Sequence, residues 1–158
     1  MKKKELKTAG RKKSATSKST KATKPAKHVA LQATVLKGKP RKAELRHVAW
    51  SSVELEELTP QLYRRFVVGQ NIMVARMVLK KGCIVPAHSH PNEQVSCVVE
   101  GAIKFGIGDK EIVVGAGEVL AIPQNLPHSA EALADTIAFD IFDPPRADWT
   151  NKTDSYLR

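Results

Sequence analysis

Short segments of alternating or β-branched residues recur from residue 43 to the end of the chain, with turn residues between them. Their spacing of about 8–12 residues is typical of an all-β sandwich or barrel. No long segment has the 3.6-residue period of an amphipathic helix, although Val53–Leu58 is compatible with one helical turn. Strands are predicted at Glu44–Trp50, Leu62–Val68, Ile72–Leu79, Gln94–Glu100, Ile103–Ile107, Glu111–Val114, Val119–Ile122, His128–Ala132 and Thr136–Phe142. Residues 43–158 are therefore predicted to form a single all-β domain.

The positive charge of the chain is concentrated in residues 1–28, which hold eleven Lys or Arg and one acid. This Lys-rich segment has too few large apolar residues to offset its ordering entropy, so we predict a disordered tail. Residues 29–42 are a transitional segment with a candidate edge strand. Residues 43–158 hold eleven bases and fifteen acids, so the predicted domain is weakly acidic although the chain carries +10.

The basic tail has two interpretations. A flexible cation binds phosphate backbones weakly and without sequence preference, which predicts non-specific nucleic-acid contact through residues 1–28. The alternative is a solubilising extension without a partner. The sequence has neither the apolar core of a secretory signal nor an apolar run of about 20 residues. We therefore expect a cytoplasmic protein without membrane contact.

Two closely spaced histidines and a glutamine suggest a metal site. His88 and His90 are two residues apart, and side chains two apart on a strand point to the same face. Gln94 has the same parity, whereas Glu93 has the opposite parity and is expected to face away. Three candidate ligands therefore converge on one point, provided that the bend at Pro91 adds no bulge.

A third imidazole comes from His128, which follows a turn at the start of a predicted strand. Three imidazoles and a carboxamide form a neutral ligand set for a divalent metal. These ligands do not name the ion, and Ni, Zn, Fe and Mn remain candidates. So few protein ligands leave coordination positions open for water or substrate, which is typical of catalytic rather than structural sites.

The spacing of these ligands resembles the two motifs of the cupin superfamily. The first is Gly82-x5-His88-x-His90-x3-Gln94-x6-Gly101, and the second is Gly117-x5-Pro123-x-Asn125-x2-His128. The resemblance implies a small, single cupin-type (jelly-roll) β-barrel. Gln94 stands where Glu is usual, which removes a negative charge from the metal. Asn125 stands where Gly is usual, which predicts a residue with positive φ.

The last predicted strand extends the resemblance to one group of small bacterial cupins. That group includes pectin-degradation proteins that ketonise unsaturated uronic acids. It implies that the metal is held by His88, His90, Gln94 and His128, and that the substrate pocket is lined by Asp140, Phe142 and Arg146. Plainer interpretations stay open, because Phe142 fits a core position and Arg146 an ion pair with Asp143 or Asp148.

The function that follows from the resemblance is a metal-dependent isomerase or tautomerase acting on a small carboxylated sugar derivative. Arg146 would hold the substrate carboxylate, and Asp140 would be the general base. Two alternatives remain: a non-catalytic ligand-binding module with a nucleic-acid-associating tail, and an Fe(II) dioxygenase. An open pocket favours the enzyme, and a pocket plugged by side chains favours the module. A homodimer is expected, through the edge strand in residues 29–36.

Overall fold

The computed structural model describes residues 44–158, and these form a β-barrel made of two antiparallel sheets. The strands are β1 (Glu56–Thr59), β2 (Leu62–Val68), β3 (Met73–Leu79), β4 (Ile84–His88), β5 (Glu93–Glu100), β6 (Ala102–Ile107), β7 (Lys110–Gly115), β8 (Val119–Ile122), β9 (His128–Ala132) and β10 (Thr136–Asp143). The helix α1 (Ala147–Thr150) and two 3-10 turns, Trp50–Ser52 and Ser155–Leu157, complete the described chain. The predictions for residues 1–28 and 29–42 lie outside the described residues.

The two sheets face each other across the core. One sheet has the order β1-β2-β3-β10-β5-β8, and the other has the order β4-β9-β6-β7. Side chains alternate between interior and surface, as the period of two requires, and β3 buries every second residue from Met73 to Leu79. The core consists mainly of aliphatic side chains, with Phe105, Phe142 and Trp149 as its buried aromatics.

The predicted all-β fold is confirmed, but two of the predicted elements are wrong. Glu44–Trp50 is not a strand: residues 44–49 have no regular structure, these side chains are largely exposed, and none of the strands in residues 44–158 pairs with them. The helical turn predicted at Val53–Leu58 is replaced by β1, whose Glu56 lies opposite Arg64 of β2. Pairing with a long neighbouring strand outweighs the weak local helical preference of this segment.

The structure also contains β4, for which the sequence analysis assigned no bounds. It ends at His88, so His90 lies in the loop that follows. In the described part of the chain, no helix is long and apolar enough to span a bilayer.

Candidate metal centre

Three histidines converge at one end of the barrel. His88 ends β4 and lies opposite His128, the first residue of β9, in the ladder between these strands. His90 follows in the loop, where its carbonyl accepts a hydrogen bond of 2.8 Å from the backbone N–H of Asn125. This bond joins the first motif to the second, and Asn125 has the predicted positive φ, at 60°. The candidate ligand atoms of the three histidines all lie within 4.8 Å of one another.

Each histidine is oriented by a backbone carbonyl two residues away. The Nδ1–O distances are 2.8 Å from His88 to Pro86, 3.0 Å from His90 to Asn92, and 2.8 Å from His128 to Leu126. A carbonyl oxygen only accepts, so each Nδ1 carries the proton and each neutral ring keeps its lone pair on Nε2. The loop and strand ends thus prepare all three rings for coordination through the same nitrogen.

The contacts of the Nε2 atoms fit a cation. His128 is 3% exposed, and its Nε2 has no hydrogen-bond partner among residues 44–158. His90 Nε2 lies 3.1 Å from Gln94 Oε1, so two acceptor atoms face each other in this tautomer. Two lone pairs at this distance repel unless a positive charge lies near both. The donor set therefore fits a divalent metal, and the orphaned Nε2 of His128 supports the same conclusion.

The pKa values of these imidazoles keep them neutral. Burial lowers the pKa of His88 and of His90 to about 4. Burial also lowers the pKa of His128, and the positive charge of Arg146 adds to the effect on all three. At neutral pH the rings therefore offer lone pairs without first losing a proton.

Gln94 faces the histidines, and a chain of hydrogen bonds sets its orientation. Gln94 is buried whereas Glu93 is exposed, as parity predicted. Ser96 donates its hydroxyl proton to Asp140 Oδ1, so its oxygen is free to accept the bond of 2.9 Å from Gln94 Nε2. The carboxamide oxygen of Gln94 is thereby left to face His90. The sequence analysis did not select Ser96, although it shares the parity of Gln94.

Asp140 lines the cavity beside the histidines, and its register partner on β5 is Ser96. Burial raises the pKa of Asp140 to about 6, and the hydrogen bonds from Ser96 and Gln94 only partly oppose this effect. The carboxyl group therefore titrates near neutral pH, which is the range that suits a general acid or base.

Arg146 and Phe142 form one wall of the site. The guanidinium of Arg146 makes a bidentate pair with Asp148, with 2.9 Å from Nε to Oδ1 and 2.6 Å from Nη2 to Oδ2. It also lies 5.2 Å from the ring centroid of Phe142 and 4.9 Å from that of Trp149. The ion-pair alternative with Asp148 is thus formed, but with Arg146 buried inside the protein rather than at the surface.

A small cavity of about 50 Å³ lies among these side chains. Its polar lining consists of His88, Gln94, His128, Asp140, Arg146 and Tyr156, with Phe142 among the apolar side chains. His90 contacts Gln94 from behind this lining and packs edge-on against Phe142, with 5.6 Å between the ring centroids. The seven predicted site residues therefore come together. Tyr156 is an additional lining residue, and the sequence analysis did not select it as a site residue.

The comparisons with known proteins agree with this architecture. Residues 75–142 match the family model described as Cupin domain. Similar solved structures include an RmlC-like cupin from Shewanella frigidimarina NCIMB 400, with 26% identity, coverage of 68% of this chain and 97% of that chain, and a TM-score of 0.63. KdgF from Halomonas sp. has 22% identity over 63% of this chain and 94% of that chain, with a TM-score of 0.59. No curated protein matches the sequence significantly.

A mutant of the oxalate decarboxylase OxdC from Bacillus subtilis shares 23% identity over 72% of this chain, with a TM-score of 0.60. The match covers only 34% of that longer chain. At this level of identity the likeness shows the fold alone. Residues 75–142 thus carry a cupin domain, and the described chain is a cupin barrel with a three-histidine group able to hold a metal.

Proposed function

We propose that this protein is a metal-dependent cupin enzyme that moves a proton on a small carboxylated sugar derivative, such as an unsaturated uronate that is ketonised. The proposal combines the cupin barrel and its three-histidine group with the resemblance of the last strand to the pectin-degradation cupins. A divalent ion held by His88, His90, Gln94 and His128 would supply a Lewis acid that polarises substrate oxygens.

The observation that carries the proposal is the position of the Asp140 carboxyl in the lining of the cavity beside the three histidines. Ketonisation of an enol requires a proton to leave oxygen and a proton to reach carbon. A general acid or base works best when its pKa lies near the working pH, and burial raises the pKa of Asp140 to about 6. Asp140 is therefore suited to move the proton on a substrate that lies in this cavity.

Arg146 supplies the second requirement, which is orientation of an anionic substrate. Its guanidinium lies in the same lining and packs against the rings of Phe142 and Trp149. A guanidinium in this position forms bidentate pairs with carboxylates, and at present its partner is Asp148. Under the proposal, the substrate carboxylate replaces Asp148 as the partner of the Arg146 guanidinium.

The test uses protein loaded in turn with Ni, Zn, Fe(II) or Mn and mixed with 4,5-unsaturated galacturonate. Loss of the substrate's ultraviolet absorbance is followed against a chelator-treated control. We expect at least one metal to accelerate the loss of absorbance. In Asp140→Asn the rate should fall by about 100-fold or more, because general acid–base catalysis contributes about 10²–10⁴-fold. Asp135→Asn, at an exposed carboxylate, is the matched control. No acceleration over the chelated sample with any metal would exclude this substrate.

The second candidate function is a ligand-binding module without catalysis. The observation that favours it is the small space left in the site, since a cavity of about 50 Å³ is far below the volume of a sugar pocket. Tight binding of a small anion to the metal-loaded protein, without turnover, would support this candidate. Oxygen uptake by the Fe(II)-loaded protein would instead indicate the dioxygenase alternative. The homodimer and the nucleic-acid contact of residues 1–28 stay predictions.

A further inference from the structure

The last residues of the chain lie over the metal cavity. We call Asp154–Arg158 the C-terminal strap. Its Tyr156 ring stacks on the His88 ring, with 4.5 Å between the centroids and 24° between the planes. The Tyr156 hydroxyl accepts a hydrogen bond of 2.6 Å from Arg146 Nη2. Leu157, which is buried, also lines the cavity. The strap therefore contacts a candidate metal ligand and the candidate substrate clamp at the same time.

The space under the strap is too small for the proposed substrate. About 10–15 Å³ of space open to a water-sized sphere is enough for one water, so a cavity of about 50 Å³ holds no more than a few waters. A hexuronate has more than ten non-hydrogen atoms and does not fit. Any larger ligand, and the chelators that remove metals from proteins, must therefore displace part of the lining before they reach the histidines.

The strap is the part of the lining that is easiest to displace. The backbone hydrogen bonds made by its own N–H groups, from Leu157 to Asp154 and from Arg158 to Ser155, are local. In the described chain, no sheet ladder includes the strap. His128, Gln94 and Asp140 lie instead on β9, β5 and β10. Each of these strands is hydrogen-bonded to a neighbouring strand on both sides. Moving the strap requires loss of side-chain contacts only, which is typical of segments that open locally.

One buried ion pair attaches the strap to the barrel. Asp154 is fully buried, and its Oδ2 lies 2.6 Å from Nη1 of Arg64, which is also fully buried. Arg64 is held in turn by Glu56 at 2.6 Å and by the Trp149 ring, 4.3 Å from its guanidinium carbon. Separating a buried pair is costly, so Asp154 is a fixed point of the strap. Leu157 is buried on the other side of Tyr156, so the part that swings is the partly buried side chain of Tyr156.

We infer that Tyr156 is the gate of this site: its ring controls which ligands reach the metal, and ligands larger than a few atoms enter only when it swings away from His88. Because the Tyr156 hydroxyl is bonded to Arg146, the same movement frees one donor of the guanidinium for an incoming anion. The gate thus selects small anions in the closed state and admits carboxylated sugars in the open state. The inference rests on the proposed metal site and deepens it.

The test measures how fast a metal enters and leaves. Co(II) is the probe, because the hydrated ion carries several water molecules and needs the gate to open, and because its visible absorbance reports coordination by histidine. Stopped-flow mixing gives the association rate of Co(II) and the dissociation rate in excess EDTA, for the full chain and for Tyr156→Ala. Tyr156→Ala removes both the ring stacking and the hydroxyl contact that hold the side chain over His88. We therefore expect both rates to rise by about tenfold or more, with the dissociation constant within about threefold of wild type.

A gate changes rates in both directions, whereas a residue that only supports a metal ligand changes the dissociation rate and the affinity. Tyr156→Phe keeps the ring and loses only the hydrogen bond to the hydroxyl. We therefore expect it to exchange cobalt only about threefold faster than wild type. Tyr63→Ala, which removes a half-exposed tyrosine far from the cavity, is the matched control and should behave as wild type. Thermal unfolding of each variant checks that it is folded.

Three results would overturn the inference. The first is exchange in folded Tyr156→Ala at the wild-type rate, and the second is exchange in Tyr156→Phe as fast as in Tyr156→Ala. The third is failure of every protein, wild type included, to bind cobalt. That last result would remove the proposed metal site itself, whereas the first two would leave the site intact and reject only the gate.

Discussion

The interior of the barrel has a polar half around the three histidines and an apolar half, and the same strands line both. The two halves meet at the cavity, which Met77, Leu79, Ile103 and Phe105 also line. On β5 the inward side chains change from Gln94 and Ser96 to Val98. On β10 the neighbour of Ser96 is Asp140, whereas the neighbour of Val98 is Ala138. The apolar half continues with Leu62, Met77, Leu79, Ile103, Phe105 and Ala132.

The two halves satisfy different physical requirements. Buried apolar area stabilises the fold by about 25 cal/mol per Å², and the apolar half contributes this term without polar groups that need partners. In the polar half most buried groups bond one another or the backbone, as Gln94, Ser96 and Asp140 do. The Nε2 of His128 is left over. The apolar half therefore supplies stability that allows the polar half to contain an unsatisfied group.

The largest expected effect is on metal binding in the polar half. His128→Ala removes the imidazole whose Nε2 lacks a partner, so we expect the affinity for Co(II) or Zn to fall by more than about 100-fold, the upper end of what loss of a ligand's supporting partner costs. The free energy of unfolding of the metal-free protein should change little, since an unsatisfied buried atom is removed with the ring. Isothermal titration and urea unfolding measure the two quantities.

Phe105→Ala is the matched change in the apolar half. It should lower the free energy of unfolding by about 3–5 kcal/mol while leaving one metal bound per folded chain. Val113→Ala is the control, because Val113 is exposed on β7, the strand that pairs with β6. Its free energy of unfolding should stay within about 0.5 kcal/mol of wild type. If His128→Ala destabilised the metal-free fold as much as Phe105→Ala, the division of the barrel into two halves would be wrong.

The polar half is the part of the molecule where sequence reasoning was least complete. Parity within one strand placed Gln94 inside and Glu93 outside, and the motif spacing brought His88 and His128 together. The link through Ser96 depends on the register between β5 and β10, which are separated by more than thirty residues. The pairing of Arg146 with Asp148 and the stacking of Tyr156 on His88 depend on how a short irregular segment folds back. No periodic pattern in the sequence encodes these contacts.

Near residue 44 the sequence analysis made the opposite error, because the alternating pattern predicted a strand where the structure has none. Alternation reports only that one face of a strand would be apolar, and a strand also needs a neighbour with free backbone groups. Glu44–Trp50 has no such neighbour among the described residues. β1 has β2 beside it through a tight turn, and it became a strand despite an acidic sequence.

Ser96→Ala sharpens the comparison with a smaller effect. The change breaks the hydrogen-bond link between Gln94 and Asp140, so the carboxamide is free to turn its nitrogen toward the histidines. We expect metal affinity to fall by about tenfold, within the range for groups that orient a ligand. Ser89→Ala removes the same hydroxyl from an exposed position between His88 and His90 and should leave the affinity unchanged. Equal affinities in the two variants would show that Gln94 does not depend on Ser96.

The smallest effect concerns the pH dependence of folding in the metal-free protein, since the groups with shifted pKa in the polar half act in opposite directions. His88 and His90 have pKa values of about 4 in the folded chain, against 6.5 as the ordinary value. Between these two pH values the unfolded chain binds more protons, so these histidines make stability rise with pH. Asp140, with its pKa raised to about 6, makes stability fall with pH from about 4 upward.

The histidines outnumber the aspartate, so the urea midpoint of the metal-free protein should increase from pH 4.5 to pH 7. Asp140→Asn removes the opposing contribution, and the increase should become steeper. Asp135→Asn is the control, because the pKa of Asp135 is lowered below its usual 3.8 and its contribution changes only at more acidic pH. A slope unaltered by Asp140→Asn would mean that Asp140 is solvated like a surface carboxylate, and the basis for its proposed role in proton transfer would be lost.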